Sequence, residues 1–161
     1  MKWIESSAEI SIPCSKSIAY DLYSRLDQHP SWSPWLHSVE YIDGSSTKTM
    51  WTLKSLGLTF NWKANNTIVD PNNVIQWESL DGLPNKGRVE FIEDKQDSTN
   101  MKLSISYDLP QVAVNIIEGL GDAYTSFVSD TLLSDLKRFR ARLLKEVRED
   151  RLKKMKSKLQ D

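Results

Sequence analysis

The stretch VAVNIIEGLGDAYTSFVSDTLLSDLKRFRARLLKEV (112–147), which follows Pro110, decides the fold. Its apolar residues recur three or four apart. Ile116, Leu120, Tyr124, Phe127 and Thr131 draw one line, which Leu132, Leu136, Phe139, Leu143 and Val147 continue. That is the period of a helix with one buried face. At roughly 1.5 Å per residue, an unbroken helix of this reach exceeds the width of a small domain, so it needs a large partner. Gly119 and Gly121 interrupt the pattern, which predicts a short first segment, a break, and a main helix from about Asp122.

The partner lies upstream. Ile4, Ala8, Ile10 and Ile12 alternate with polar residues as a half-buried strand ended by Pro13. Ser15 then suits the N-cap of a helix whose stripe is Ile18, Leu22 and Leu26. In HPSWSPWL (29–36), two prolines forbid a long helix but permit a short turn of one. From Leu36 to Leu109 the chain reads as an antiparallel meander: Leu36–Ile42, Thr47–Lys54, Leu58–Val69, Val74–Leu80, Gly87–Glu93 and Thr99–Leu109. Each gap carries turn chemistry, such as Asp43-Gly44 and Asp70-Pro71-Asn72-Asn73. Phe60, Trp62, Ala64, Asn66 and Ile68 share one face of their strand, and Met101, Leu103, Ile105 and Tyr107 alternate in the same way with Lys102, Ser104 and Ser106, so one face of the sheet is apolar and the other wet. Trp51, Leu53, Ile75, Trp77, Val89 and Phe91 join the inward set by the same alternation.

The expected fold class is therefore α+β: a curved antiparallel sheet of about seven strands around a long C-terminal helix, with two short helices after the first strand. A twisted sheet of that size curls, and one long helix with one short helical pair cannot fill its concave side. A cavity with aromatic walls is the expected result, suited to an apolar small molecule.

Composition narrows the function. A chain of 161 residues, 39% hydrophobic and 27% charged, has the make-up of one globular domain. A net charge of -1 argues against a protein that grips nucleic acid electrostatically. The single Cys14 excludes an internal disulfide and reads as a packing residue in a reducing compartment. With no signal-peptide core and no apolar run of about 18 residues, the expectation is a cytoplasmic location. One domain is expected over residues 1–147, with a basic helix extension or tail over 148–161. Residues 145–161 hold seven Lys or Arg against four Asp or Glu. A solvated helix end is the preferred reading, and weak contact with an anionic membrane surface the alternative.

The order strand, two short helices, six-strand meander and long helix also resembles a known family. HPSWSPWLHSVEYID (29–43), DPNNVIQWESLDGLPNKGRVEF (70–91), SISYDLP (104–110) and DLKRFRARL (135–143) carry a resemblance to the START-like (SRPBCC) superfamily, within it the polyketide cyclase/dehydrase and coenzyme Q-binding group. The resemblance implies a helix-grip fold and a hydrophobic ligand, such as a lipid, quinone, polyketide or pigment-like molecule. It names no shared catalytic set, and fold alone does not settle chemistry.

Positions expected to line the cavity are Trp32, Trp35, Trp51, Phe60, Trp62, Asn66, Trp77, Phe91, Leu103, Ile105, Tyr107, Tyr124, Phe127, Val128 and Thr131. Trp32 and Trp35 read equally as a mouth for ligand or as a plug of the core. His29 and His37 lack a third ligand and read as surface or turn residues, so no metal is expected, and no cofactor. Asp108 falls on the outer face and reads as exposed, as does Arg88. Glu93 falls on the inner register where its strand ends, so solvation is expected. The leading reading is a non-catalytic binder or carrier of a hydrophobic small molecule. The alternatives are a cyclase, aromatase or dehydratase using the same cavity, and a protein-interaction module. The oligomeric state is left open.

Overall fold

The computed structural model describes residues 2–55, 57–119 and 123–160, without the side chains of residues 2, 117 and 123–127. Strand β1 (Lys2–Ile12) leads into helix α1 (Lys16–Tyr23) and a 3-10 turn (Leu26–Ser31). The meander follows as β2 (Leu36–Tyr41), β3 (Lys48–Ser55), β4 (Leu58–Asp70), β5 (Val74–Gly82), β6 (Asn85–Glu93) and β7 (Thr99–Leu109). Helices α2 (Gln111–Glu118) and α3 (Ala123–Gln160) complete the chain. The described residues thus hold two separate helices, α2 ending at Glu118 and α3 beginning at Ala123, and residues 120–122 between them lie outside the described residues.

The seven strands form one curved antiparallel sheet in the order β1-β7-β6-β5-β4-β3-β2. Every meander strand pairs with its sequence neighbour, as short turns require, and the long β1–β2 connection places β1 beside β7. Apolar residues meet in rows across the concave face: Ile10, Met101 and Phe91 form one, and Ala8, Leu103, Val89 and Ile75 another. In the next row Gly87 stands between Trp77 and Ile105. A Cβ at Gly87 would collide with the Trp77 indole, so this gap is where that ring lies.

Helix α3 covers the concave face through Leu132, Leu136, Phe139 and Leu143, all buried, while every residue from 148 to 160 is exposed. At about 1.5 Å per residue its 38 residues reach roughly 57 Å. The apolar spacing that argued for a buried face thus holds from Leu132 to Val147, whereas Ile116, expected on the same line, is 37% exposed because α2 turns Ala113 and Val114 inward instead. Beyond Val147, Leu152, Met155 and Leu159 are exposed.

Four other expectations fail locally. Ile18 is 43% exposed, and α1 instead buries Ala19, Leu22 and Tyr23. Ile68 is 41% exposed because the β4–β5 register shifts between Asn66 and Ile68. One added residue turns every later side chain to the other face. Asp108, expected outside, is 7% exposed: its backbone N–H donates to the Pro84 carbonyl at 2.9 Å, which brings the β5–β6 turn across it. Its Oδ1 has no hydrogen-bond partner among the described residues. His29, expected at the surface, is also buried, for a reason the next section gives.

Candidate ligand-binding cavity

Two hydrophobic cores share the interior, and the cavity is the seam between them. One joins α1, α3, β1, β6 and β7 around Tyr23, Phe91 and Phe139. The other gathers Leu26, Leu36, Val39, Trp62, Ala64 and Leu83 beneath the 3-10 turn. Between them lies a space of about 50 Å³ for the centres of water-sized molecules, or about 720 Å³ of empty volume when the adjoining open space is included.

Nine of the fifteen expected positions border it: Trp32, Trp35, Trp51, Trp62, Asn66, Trp77, Leu103, Ile105 and Tyr107. Trp51 and Trp62 face each other across β3 and β4 with ring centroids 5.9 Å apart and planes 9° from parallel. Trp51 Nε1 donates to Thr49 Oγ1 at 2.6 Å, so its polar edge is satisfied while its ring stays free to form wall. Trp32 is both wall and plug: it lies against Tyr23 and edge-on to Phe139, and the Arg142 guanidinium sits 5.5 Å from its ring centroid.

The remaining expected positions lie elsewhere or outside the described residues. Phe91 is in the first core, edge-on to Tyr20 and Tyr23, because its row lies too far along β6. Phe60 borders a separate shallow pocket with Leu83 and Leu109 at the sheet end. Thr131 borders an outer groove with Pro34 and Arg138, and Val128 is half-buried but does not line the cavity. The side chains of Tyr124 and Phe127 fall outside the described residues. Glu93 is exposed, as expected, and the Arg88 side chain is partly exposed beside Glu90 and Gln76.

The polar groups that define the cavity were mostly not foreseen. Asp135, 4% exposed, lies on the buried stripe of α3 between Leu132 and Leu136. Its Oδ2 accepts hydrogen bonds from Ser33 Oγ at 2.9 Å and from Trp35 Nε1 at 2.6 Å, and its Oδ1 pairs with Arg138 at 3.0 Å. The helix is thereby tied to the Pro-punctuated bend. Burial raises the Asp135 carboxyl to about 6, against the opposing pull of Ser33, Trp35 and Arg138. The signal was present in the sequence: a carboxylate between Leu132 and Phe139 on an apolar helical stripe is seldom placed there without partners.

His29 is 6% exposed because the 3-10 turn folds its ring inward, between Tyr23 and Trp51. Its Nε2 lies 2.8 Å from the Tyr23 carbonyl. A carbonyl oxygen only accepts, so Nε2 carries the proton and Nδ1 is a neutral acceptor. Burial lowers the imidazole to about 4, so the ring is uncharged near neutral pH. Tyr23 and Tyr107 also border the cavity, and both phenols are raised, first by burial and then by the charge of Asp135. Asn85, at the start of β6, is held by Leu83 and Ser79. Among the described residues no three His, Cys, Asp or Glu side chains gather as a metal site. No helix among them is long and apolar enough to cross a membrane.

A curved antiparallel sheet gripping a long C-terminal helix over an aromatic cavity defines a START-like helix-grip protein. The chain belongs to the polyketide cyclase/dehydrase and lipid transport family, whose sequence model matches residues 12–137. No curated protein matches it. Among solved structures, a Thermus thermophilus protein superposes with a TM-score of 0.74 at 19% identity, covering 89% of this chain and 99% of that one. The Zhui aromatase/cyclase from a Streptomyces species follows at 0.70 and 11%, covering 91% and 96%. A START superfamily protein from Mycobacterium smegmatis gives 0.65 at 16%, covering 88% and 97%. At these identities the likeness is one of fold.

Proposed function

We propose that this protein binds a hydrophobic small molecule in the seam beneath α3, as a carrier or sequestering protein. The observation that carries the reading is the lining: five indoles and a set of aliphatic residues enclose a space with a few convergent polar groups. The narrow interior suits a small ring, or the leading end of a longer molecule whose remainder occupies the open side. Family membership supports the same reading, since its description includes lipid transport. Native mass spectrometry and solvent extraction of gently purified protein test it: an apolar molecule should co-purify at near one per chain. Repeated empty preparations, with no change in tryptophan fluorescence on titration with apolar ring compounds, would refute it.

A second reading is acid–base chemistry on the bound molecule, as in the cyclase branch of the family. It is favoured by one observation, a buried carboxyl near 6 facing the same space as two phenols and a neutral imidazole. Exchange of α-protons of small ketones into deuterated water, followed by NMR, tests it. Equal rates with the native protein and Asp135→Asn would eliminate it.

A further inference from the structure

We infer that the cavity selects molecules that carry a positive charge on an apolar or aromatic body, and turns anions away. The inference rests on the reading of the seam as a ligand site and goes further by naming the charge class.

The first ground is the inventory of charge. Among the described lining residues Asp135 is the only one ionised at neutral pH, and no Lys or Arg borders the space. An anionic headgroup would therefore enter with no cation to receive it, next to a fixed carboxylate in a medium that screens charge poorly. Burial first, and then the charge of Asp135, raise the phenols of Tyr23 and Tyr107, so a second negative charge there is opposed.

The second ground is the wall. The indoles of Trp51, Trp62 and Trp77 border the space, and aromatic rings carry a quadrupole whose negative side attracts ammonium groups, most strongly where water is excluded. The protein already uses this attraction on the outside of the same shell, where Arg142 stands over Trp32 and is held by Gln28, Ser31 and Glu146. Arg138 approaches Asp135 with its side chain half exposed, so its charge is shared with solvent. The other carboxylate oxygen of Asp135 accepts from Ser33 Oγ and Trp35 Nε1, neutral donors that do not cancel its charge.

Neutral acceptors complete the fit. His29 Nδ1 and the Tyr23 and Tyr107 oxygens offer lone pairs to N–H or polarised C–H groups of an amine. A compact tertiary or quaternary ammonium on an aromatic ring satisfies the aromatic walls, the carboxylate and these acceptors together.

A matched set of probes tests the inference on the intact protein: benzyltrimethylammonium, its neutral carbon isostere neopentylbenzene, and phenylacetate, each titrated at pH 7.5 by tryptophan fluorescence and calorimetry. The cation should bind about tenfold tighter than its isostere, and phenylacetate should not bind measurably. In Asp135→Asn the cation's advantage should fall to about threefold or less. The comparison within the native protein stands even if that variant folds poorly. Neopentylbenzene binding as tightly as the cation, or phenylacetate binding at all comparably, would overturn the inference while leaving the cavity reading intact. Binding by none of the three would overturn both.

Discussion

The two buried titratable groups of the cavity should act on stability in opposite directions, and removing one should expose the other. Asp135 has an ordinary value of 3.8 and sits at about 6 in the fold. Between those limits the folded chain holds a proton that the unfolded chain has released. The stability it contributes is complete below about 3.8 and is lost as pH rises through about 6. The gap corresponds to about 3 kcal/mol. His29 has an ordinary value of 6.5 and sits at about 4 in the fold. Here the unfolded chain takes the proton first, so stability is complete above about 6.5 and is lost as pH falls toward 4, again by about 3 kcal/mol. In the native protein these contributions nearly cancel between pH 4 and 6.5. Asp135→Asn removes one of them. Relative to the native protein, the variant should gain about 3 kcal/mol of stability from pH 4 to pH 7, which for a chain of this size is roughly 6–12 °C in Tm. His29→Gln should show the opposite slope. Thermal or urea unfolding at pH 4, 5, 6, 7 and 8 reads both, and other carboxylates drop out of the difference. If Asp135→Asn follows the native curve at a constant offset, Asp135 does not hold a proton in the fold and the burial argument fails.

Three further outcomes are expected. Gly87→Ala should drive the Trp77 indole from its place, costing about 1–3 kcal/mol and changing tryptophan fluorescence; an unchanged spectrum and midpoint would contradict the packing described. Phe139→Ala removes a fully buried ring that touches Tyr23 and Trp32, and should lower stability by about 3–5 kcal/mol with an unaltered urea m-value. Deleting residues 148–161 should alter stability by no more than about 0.5 kcal/mol, since residues 148–160 are exposed; a larger loss, measured by urea unfolding, would place the domain boundary further along α3.

The strands were legible because alternation and turn chemistry are local. Phe60, Trp62 and Ala64 declare a face two residues at a time, and Asp43-Gly44 or Asp70-Pro71 declare where it ends. The aromatic half of the cavity followed from the same period. Its polar half did not. The inward turn of His29 depends on a carbonyl at Tyr23 and on rings from β3 and the bend, none of which is adjacent in sequence. The partners of Asp135, Ser33 and Trp35, are about a hundred residues away. The β4 register shift that exposes Ile68 leaves no mark in an alternating pattern.

By itself, then, the sequence determined the order of elements, the concave aromatic face, the helix that covers it and the separate short helix before it, because each arises from periodicity and local turn or helix preferences. Only the tertiary structure decided that the cavity is a seam between two cores, that Phe91 belongs to one of them, and that Asp135, His29 and Tyr23 join Tyr107 around the space. The physical reason is that burial, partner and charge environment belong to residues brought together from distant parts of the chain, and those set which polar groups stay neutral and which keep their charge.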